Sequence, residues 1–235
     1  MKVSHRSFPL VLLSLFLSFT LLAVCDKEKS STGPEEITTV TDIDGNTYQT
    51  TKIGSQRWIK ENLKVTHYRN GDAIPHVTDD STWIRLTTGA YCCYENDPAN
   101  GETYGILYNW HAVNDARGLA PEGSHIATDA DWIEIIDYLG GADIAGGKMK
   151  KTGTTYWTDP NTGASNSSGL SMLPGGLRSD LSGDFSGMES SAFFWTATEQ
   201  NSVDAVACKL IYNNAGIGKG ETDKRKGLSI RCVKD

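Results

Sequence analysis

The stretch TDADWIEIIDYLGG, residues 128–141, carries the clearest secondary-structure signal in the chain. Thr128 and Asp131 stand three residues apart, which is the pattern of a helix capping box. The apolar residues that follow recur at i, i+3, i+4 and i+7, the spacing of one helix face: Trp132, Ile135, Ile136 and Leu139. Gly140–Gly141 occupies the position where glycine commonly ends a helix. We therefore expect an amphipathic helix here, with one face buried in a core.

On both sides of this helix the sequence favours β-strands. Residues 37–63 alternate between β-branched or aromatic residues and polar ones, with hairpin-turn pairs at Asp44–Gly45 and Gly54–Ser55. A further turn is expected at Asn70–Gly71, and residues 102–118 are expected to open as a strand and close as a short helix. Three strand candidates end the chain: SAFFWTATE (191–199), DAVACKLIYNN (204–214) and GLSIRCVKD (227–235).

Glycine, serine and asparagine dominate residues 146–187, a stretch too long for a plain connection. Its spaced apolar residues predict an irregular region pinned by side chains: Trp157, Leu170, Met172 and Leu173. The whole chain has 24 glycines, 6 tryptophans and 9 tyrosines in 235 residues, a composition that favours a loop-rich, mostly β domain. The expected class is α+β, with short antiparallel strands, long irregular loops and one or two helices.

The N-terminus predicts export. Residues 1–24 place Lys2 and Arg6 before an apolar run that fits a secretory signal and is too short for a membrane span. The run ends in LLAVC, which resembles a bacterial lipobox, so we expect cleavage before Cys25 and its acylation. Residues 25–36 are polar and suit a tether to the membrane, which leaves residues 37–235 as one domain. The alternative is a soluble secreted protein with a stray thiol at Cys25.

The charge balance argues against nucleic acid as a partner. The chain has 22 basic and 29 acidic residues, a net charge of −7. Residues 1–24 hold two of the basic residues and no acidic one, so the mature chain has 20 against 29, a net charge of −9. An acidic chain is repelled by phosphate backbones and by anionic membrane faces. Contact with the membrane is therefore expected through the lipid anchor alone.

Most of the chain after residue 37 resembles the Fibrobacter succinogenes major paralogous domain, a bacterial family of exported and often lipid-anchored proteins. The matching segments are DIDGNTYQTTKIGSQRWIKENLKVTHYRNGDAI, TGAYCCYENDPANGETYGILYNWHAV, GLAPEGSHIATDADWIEIIDYLGG, TGASNSSGLSMLPGGLR, FFWTATE and GLSIRCVKD. The resemblance implies a C-type-lectin-like fold in an envelope protein of the bacterial outer membrane. The family's molecular function is largely undefined.

The resemblance also implies roles for the cysteines. Cys92 and Cys93 are neighbours, and in an extended segment they would point to opposite faces. The family usually has Cys92 and Cys232, which the resemblance implies as a disulfide pair. Cys93 and Cys208 are additions in this chain, and they are left to bond each other in an oxidising compartment. Reduced, buried thiols are the alternative.

Metal and enzyme signatures are weak. The sequence contains no C-x-x-C, H-x-x-x-H, G-x-S-x-G or Walker motif, and no cofactor is expected. An oxidoreductase like the distantly similar sulfatase-modifying domains would need a close cysteine pair late in the chain, whereas Cys208 and Cys232 lie 24 residues apart. A calcium ion could find oxygen ligands in two short polar phrases, although a plain polar turn is the alternative: Asn96, Asp97, Asn114 and Asp115.

The leading functional expectation is a non-enzymatic surface module that binds a glycan or a protein. The loops around the glycine-rich region are expected to carry the binding residues. Candidate ligand-binding side chains are Trp157, Phe194, Trp195 and Arg178. The alternative is burial in the core, which applies to Trp195 and also to Trp58, Trp110 and Trp132. A structural envelope component without a small ligand is the competing hypothesis.

Overall fold

Three antiparallel-rich sheets and five short α-helices make up the part of the chain that this computed structural model describes, residues 1–3 and 38–235. The strands and helices below belong to one compact unit, Glu36–Asp235. Residues 4–24 of the predicted signal, the predicted tether and Cys25 lie outside the described residues. Within those residues no helix combines the length and the apolar character needed to cross a bilayer.

The strands are β1 (Thr39–Thr41), β2 (Thr47–Ile53), β3 (Gln56–Ile59), β4 (Tyr91–Cys92), β5 (Leu107–Tyr108), β6 (Ser124–Ile126), β7 (Gly175–Arg178), β8 (Phe185–Met188), β9 (Ser191–Glu199), β10 (Asp204–Ile211), β11 (Gly218–Asp223), β12 (Ser229–Ile230) and β13 (Cys232–Lys234). The helices are α1 (Asp80–Trp83), α2 (Pro98–Tyr104), α3 (Trp110–Val113), α4 (Asp129–Tyr138) and α5 (Ala142–Met149). This mostly β architecture with short helices is compatible with the predicted α+β class.

The sheets join distant parts of the sequence. One has the order β1-β2-β3-β13-β6, so the C-terminal strand lies between the N-terminal hairpins and β6. The second has the order β11-β10-β9-β7-β8, with β12 also on β9, and β4 pairs with β5. Most pairs are antiparallel, while β12 and β7 each meet β9 in parallel. The first three strands and the last strand of the domain therefore share one sheet.

The predicted turns are confirmed where the local chemistry is strongest. Gly45 has a φ of 84° in the turn between β1 and β2, and Gly54 has a φ of 61° between β2 and β3. This left-handed region strongly favours glycine. The three terminal strand candidates also form, as β9, β10 and the pair β12 and β13.

Helix α4 follows its sequence signal closely. Thr128 is the N-cap, with its side chain accepting from the Asp131 amide while the Asp131 carboxylate accepts from the Thr128 amide. Gly140 has a φ of 97° just after the helix. The four stripe residues are buried together in one hydrophobic cluster: Trp132, Ile135, Ile136 and Leu139.

The glycine-rich segment, residues 146–187, is more regular than predicted. It begins within α5, which the sequence analysis did not foresee because Gly146–Gly147 is unfavourable inside a helix. A Cβ on Gly146 would lie 2.1 Å from the carbonyl oxygen of Gly216, and one on Gly147 would lie 2.4 Å from that of Gly163. These glycines therefore serve close backbone approach. Strands β7 and β8 lie in the later part, which leaves residues 150–174 as the irregular portion.

Buried cations are a recurrent feature of the interior. Arg178, Arg231 and Lys150 are essentially inaccessible to solvent, and Lys224 is 6% exposed. Each lies near an aromatic ring, at distances to the ring centroid that permit cation–π attraction: Arg178 with Trp83 (4.5 Å), Arg231 with Phe194 (5.7 Å), Lys150 with Trp157 (5.2 Å) and Lys224 with Trp110 (4.8 Å). Their donors go mainly to loop carbonyl oxygens.

Candidate ligand-binding cleft

A polar cleft of about 340 Å³ opens between the first sheet and the glycine-rich segment. We call it the Tyr156 cleft. It falls in the lower part of the range of roughly 300–1,000 Å³ that ligand pockets occupy. Its lining comes from β2, the chain after β3, the end of α2, the irregular loop and the residue before β13. Its lining includes polar, charged and aromatic residues and one glycine: Gln49, Lys60, Glu61, Asn62, Lys64, Glu102, Tyr104, Gly105, Lys151, Tyr156 and Arg231.

The floor of the cleft is a buried hydrogen-bond network. The Asn62 amide nitrogen donates to the Tyr104 carbonyl at 2.7 Å, and its oxygen accepts from Arg231 Nε at 2.7 Å. Arg231 Nη1 also donates to the carbonyls of Ile59, Lys60 and Leu170. The guanidinium thus ties three separate segments together, and its burial lowers the pKa of Arg231 to about 9.

The closeness of the floor segments depends on a glycine. Gly105 has a φ of 81°, and a Cβ there would lie 2.5 Å from the Cβ of Asn62. Glycine alone allows both this backbone conformation and this approach. The end of α2 is thereby held against the residues that follow β3.

Two tyrosines form the aromatic wall. The rings of Tyr104 and Tyr156 meet edge to face, with centroids 6.2 Å apart and an interplanar angle of 88°. Tyr104 is buried and Tyr156 is half-buried, so part of the Tyr156 side chain remains accessible. The neighbouring Trp157 is 1% exposed and donates from Nε1 to the Met172 carbonyl at 3.0 Å. Its burial anchors the loop that carries Tyr156.

Charged and amide side chains line the rim. Lys60 Nζ donates to Gln49 Oε1 at 3.0 Å, and Lys64 pairs with Glu102 at 2.8 Å. The hydrogen bond from Lys64 keeps the pKa of Glu102 below its usual value. Lys151 Nζ makes no hydrogen bond or ion pair with residues 38–235.

This arrangement suits a saccharide. An accessible aromatic ring packs against the apolar C–H face of a sugar ring, and a polar tip remains free to hydrogen-bond. Ammonium groups donate to hydroxyl oxygens, while the amide and carboxylate oxygens of the rim accept from hydroxyls. A second depression of about 310 Å³ lies on the open face of the larger sheet, around Leu177, Phe193 and Leu228. It offers fewer polar groups to orient a ligand.

The ligand-binding side chains predicted from the sequence lie elsewhere. Trp157, Phe194, Trp195 and Arg178 are at most 1% exposed, so the prediction that they form an accessible binding surface is wrong. Phe194 and Trp195 fall in the middle of β9, where both faces of the strand are covered. The core alternative holds for the other tryptophans, which are likewise buried: Trp58, Trp110 and Trp132.

Sequence reasoning missed Tyr156 itself. Tyr156 and Trp157 lie in a run of bends, where the alternation of a strand gives no guide to which side chain is exposed. Nothing local identifies Tyr104, because Asn62 and the irregular loop bring it to the cleft from far away in the sequence.

The two predicted disulfides are absent, and all four cysteines of the described chain are free thiols. Cys92 lies in a cluster with Trp83 and Leu107, whereas Cys232 lies in a different cluster. Cys208 belongs to a third cluster, and Cys93 packs at the edge of the one that contains Cys232. The partners of each predicted pair are thus separated by packed side chains.

These thiols match the alternative of reduced, packed cysteines. Burial raises the pKa of Cys92 and of Cys232 to about 12, and it raises the pKa of Cys208 as well. Cys93 is half-buried and packs against a different hydrophobic cluster from Cys92. Thiolates are strongly disfavoured at the three buried positions.

The oxygen-rich residues considered for calcium have separate local partners. Asp97 caps α2 by accepting from the Ala99 amide, and the Asn96 amide nitrogen donates to the Thr78 carbonyl. Asp115 pairs with Arg117 at 2.8 Å, and Asn114 is the C-cap residue of α3. Among the described residues, no three His, Cys, Asp or Glu side chains converge as a metal site would require.

The fold and cleft define a mostly β domain with short helices and a polar surface cleft. The chain belongs to the Fibrobacter succinogenes major domain family, whose sequence model matches residues 51–234. This confirms the resemblance seen in the sequence. No curated protein and no solved structure matches the chain significantly.

Proposed function

We propose that this protein is a lipid-anchored module of the bacterial cell envelope that binds a glycan in the Tyr156 cleft. The accessible ring of Tyr156, set against Tyr104 and flanked by Lys60, Lys64 and Gln49, is the observation that carries the proposal. In this proposal the protein is a non-enzymatic binding or adhesion module. Its affinity comes from aromatic stacking and from several hydrogen bonds.

The signal-like residues 1–24, the lipobox-like sequence before Cys25 and the polar tether support the envelope location. Acylation of Cys25 would hold the domain at the outer membrane while the tether lets the cleft face outward. The family resemblance supports a C-type-lectin-like arrangement, in which irregular loops on a rigid scaffold present the ligand site.

A glycan array with three proteins tests the proposal. Tyr156→Ala removes the stacking ring at the cleft, and Tyr138→Ala removes an exposed tyrosine on α4 that does not line the cleft. We expect the wild type and Tyr138→Ala to bind the same glycans, and Tyr156→Ala to lose about tenfold in affinity or more.

Two results would contradict the proposal. The first is an absence of binding across a broad array, which would favour a structural envelope component. The second is unchanged glycan binding by Tyr156→Ala, because the ligand would then lie outside the cleft. Circular dichroism of the variants checks that each remains folded.

A further inference from the structure

The charge of the Tyr156 cleft is opposite to that of the whole chain. Four cations line it, Lys60, Lys64, Lys151 and Arg231, against two carboxylates, Glu61 and Glu102. The chain as a whole carries a net charge of −7. In a concave site an excess of one sign of charge raises the local concentration of ligands of the opposite sign, and here the excess is cationic.

Arg231 adds a buried charge beneath the cleft. It is 1% exposed, and its hydrogen bonds go to the Asn62 amide oxygen and to three backbone carbonyls. All of these acceptors are neutral, and no carboxylate in the described part of the chain forms a salt bridge with this guanidinium. Because the surroundings are of low dielectric, its positive field is weakly screened on the side of the cleft.

The rim lysines are incompletely neutralised. Lys64 has a carboxylate partner in Glu102, but Lys60 donates to the neutral amide of Gln49. Lys151 follows the buried Lys150 in the loop that leads to Tyr156, and its ammonium has no partner among residues 38–235. These two ammonium groups remain available to an anionic group that enters the cleft.

From this juxtaposition we propose that the glycan of the Tyr156 cleft is acidic, with a carboxylate or sulfate group held by Lys60 and Lys151 above Arg231. The inference rests on the proposed function, since it names the ligand class of the same site. The acidic exterior repels polyanions in general, so binding is confined to an acidic sugar that also stacks on Tyr156. A hydrogen bond from a lysine ammonium to a carboxylate or sulfate oxygen is stronger than one from the same ammonium to a sugar hydroxyl.

Titration calorimetry with matched saccharides tests the ligand class. The probes are an oligogalacturonate beside its carboxyl-reduced form, and a sulfated galactan oligosaccharide beside its desulfated form. We expect at least one acidic probe to bind about tenfold tighter than its neutral partner at low salt, and to weaken in about 0.5 M NaCl because salt screens charge.

The outcomes separate the two proposals. Equal affinity for acidic and neutral forms would overturn the acidic-ligand inference while leaving glycan binding in place. Failure of these probes together with an empty glycan array would overturn glycan binding itself. A preference for the carboxylated over the sulfated probe, or the reverse, identifies the anionic group.

A pair of charge-matched variants locates the effect. Lys151→Gln removes a cation from the cleft, whereas Lys234→Gln removes an exposed cation outside its lining. We expect Lys151→Gln to weaken the acidic probe by about five- to tenfold and to leave its neutral partner unchanged, with Lys151→Arg restoring binding. Equal losses in both glutamine variants would mean that net charge attracts the ligand, and would overturn the role of the cleft.

Discussion

Helix α4 satisfies most of its backbone polar groups within itself, whereas the glycine-rich segment directs several of its carbonyl oxygens to side-chain donors, three of them to buried cations. In α4, side chains add the caps at Thr128 and Thr198, a lysine at the C-terminal carbonyl of Leu139 and an apolar stripe. In the segment, Lys150 Nζ donates to three carbonyls, one within the segment at Thr162 and two beyond it at Ile211 and Asn214, at 2.9–3.1 Å. Irregular backbone thus finds in side chains the partners that a helix supplies for itself.

Arg178 shows the same arrangement at the other end of the segment. Its guanidinium donates to the carbonyls of Gly183, Val77 and Thr78 at 2.6–2.9 Å and to the Asp80 carboxylate at 2.6 Å. The planar fork of arginine makes four bonds in fixed directions. A long loop can therefore be held in one conformation as firmly as a helix when a few buried cations bind its backbone carbonyls.

The largest effect is therefore expected from removing one such anchor. Arg178→Met keeps much of the side-chain volume but removes the Arg178 donor from three carbonyls, those of Gly183, Val77 and Thr78, of which Thr78 retains a hydrogen bond from Asn96. Each unsatisfied buried group is costly, so we expect the free energy of unfolding to fall by on the order of 3–5 kcal/mol. Urea denaturation followed by tryptophan fluorescence measures the loss.

Two further variants sharpen this result. Arg178→Lys retains the charge but lacks the planar fork, so we expect it to recover little of the stability. Trp132→Ala removes an apolar anchor of α4 whose indole N–H has no hydrogen-bond partner among residues 38–235. The cavity it leaves should lower the free energy of unfolding by roughly 3–5 kcal/mol. If Arg178→Lys matched the wild type, charge and not hydrogen-bond geometry would hold the segment.

Removal of the Lys150 ammonium should have a smaller, pH-dependent effect. Lys150→Met removes the ammonium donor from the carbonyls of Thr162, Ile211 and Asn214. We expect the free energy of unfolding to fall by about 1–3 kcal/mol at neutral pH. Burial lowers the pKa of Lys150 from 10.5 to about 8 in the folded protein. Between these values the unfolded chain binds more protons, so the contribution of this lysine to stability rises with pH.

The measurement is the difference in unfolding free energy between wild type and Lys150→Met at several pH values. This difference should widen as the pH rises from about 8 to 10.5, and should be flat below that window. The tyrosines and thiols that titrate in the same range are common to both proteins and cancel. A difference that narrowed with rising pH would show that folding favours the charged form of Lys150.

The contrast also explains what the sequence could reveal. Helix α4 and the hairpin turns at Gly45 and Gly54 depend on residues within a few positions of one another, and these predictions are confirmed. The Tyr156 cleft depends on contacts such as that of Asn62 with Arg231, 169 residues apart. Sequence patterns carry no signal for such a meeting.

The predictions of two disulfides and of an exposed Trp157 were wrong for a related reason. The expectation of disulfides followed from compartment, number and family resemblance, whereas pairing needs two thiols in one cluster, and the packing separates each predicted pair. The sequence analysis names Trp157 as a candidate ligand-binding side chain because it lies in the glycine-rich region, where loops commonly carry function. In three dimensions it is the apolar anchor of that loop, and its neighbour Tyr156 faces the cleft.

The smallest predicted effect concerns the N-cap of helix α4. Thr128→Ala removes the N-cap oxygen of α4, so the Asp131 amide loses its acceptor, and we expect a loss of about 1 kcal/mol. Thr128→Ser keeps the oxygen and should stay close to the wild type in urea denaturation. Because the cap lies outside the Tyr156 cleft, neither variant should change glycan binding. Arg178→Met, by contrast, should weaken glycan binding, because it loosens a segment that borders the cleft. Equal losses in the alanine and serine variants would mean that the threonine methyl group, and not the capping oxygen, stabilises the start of α4.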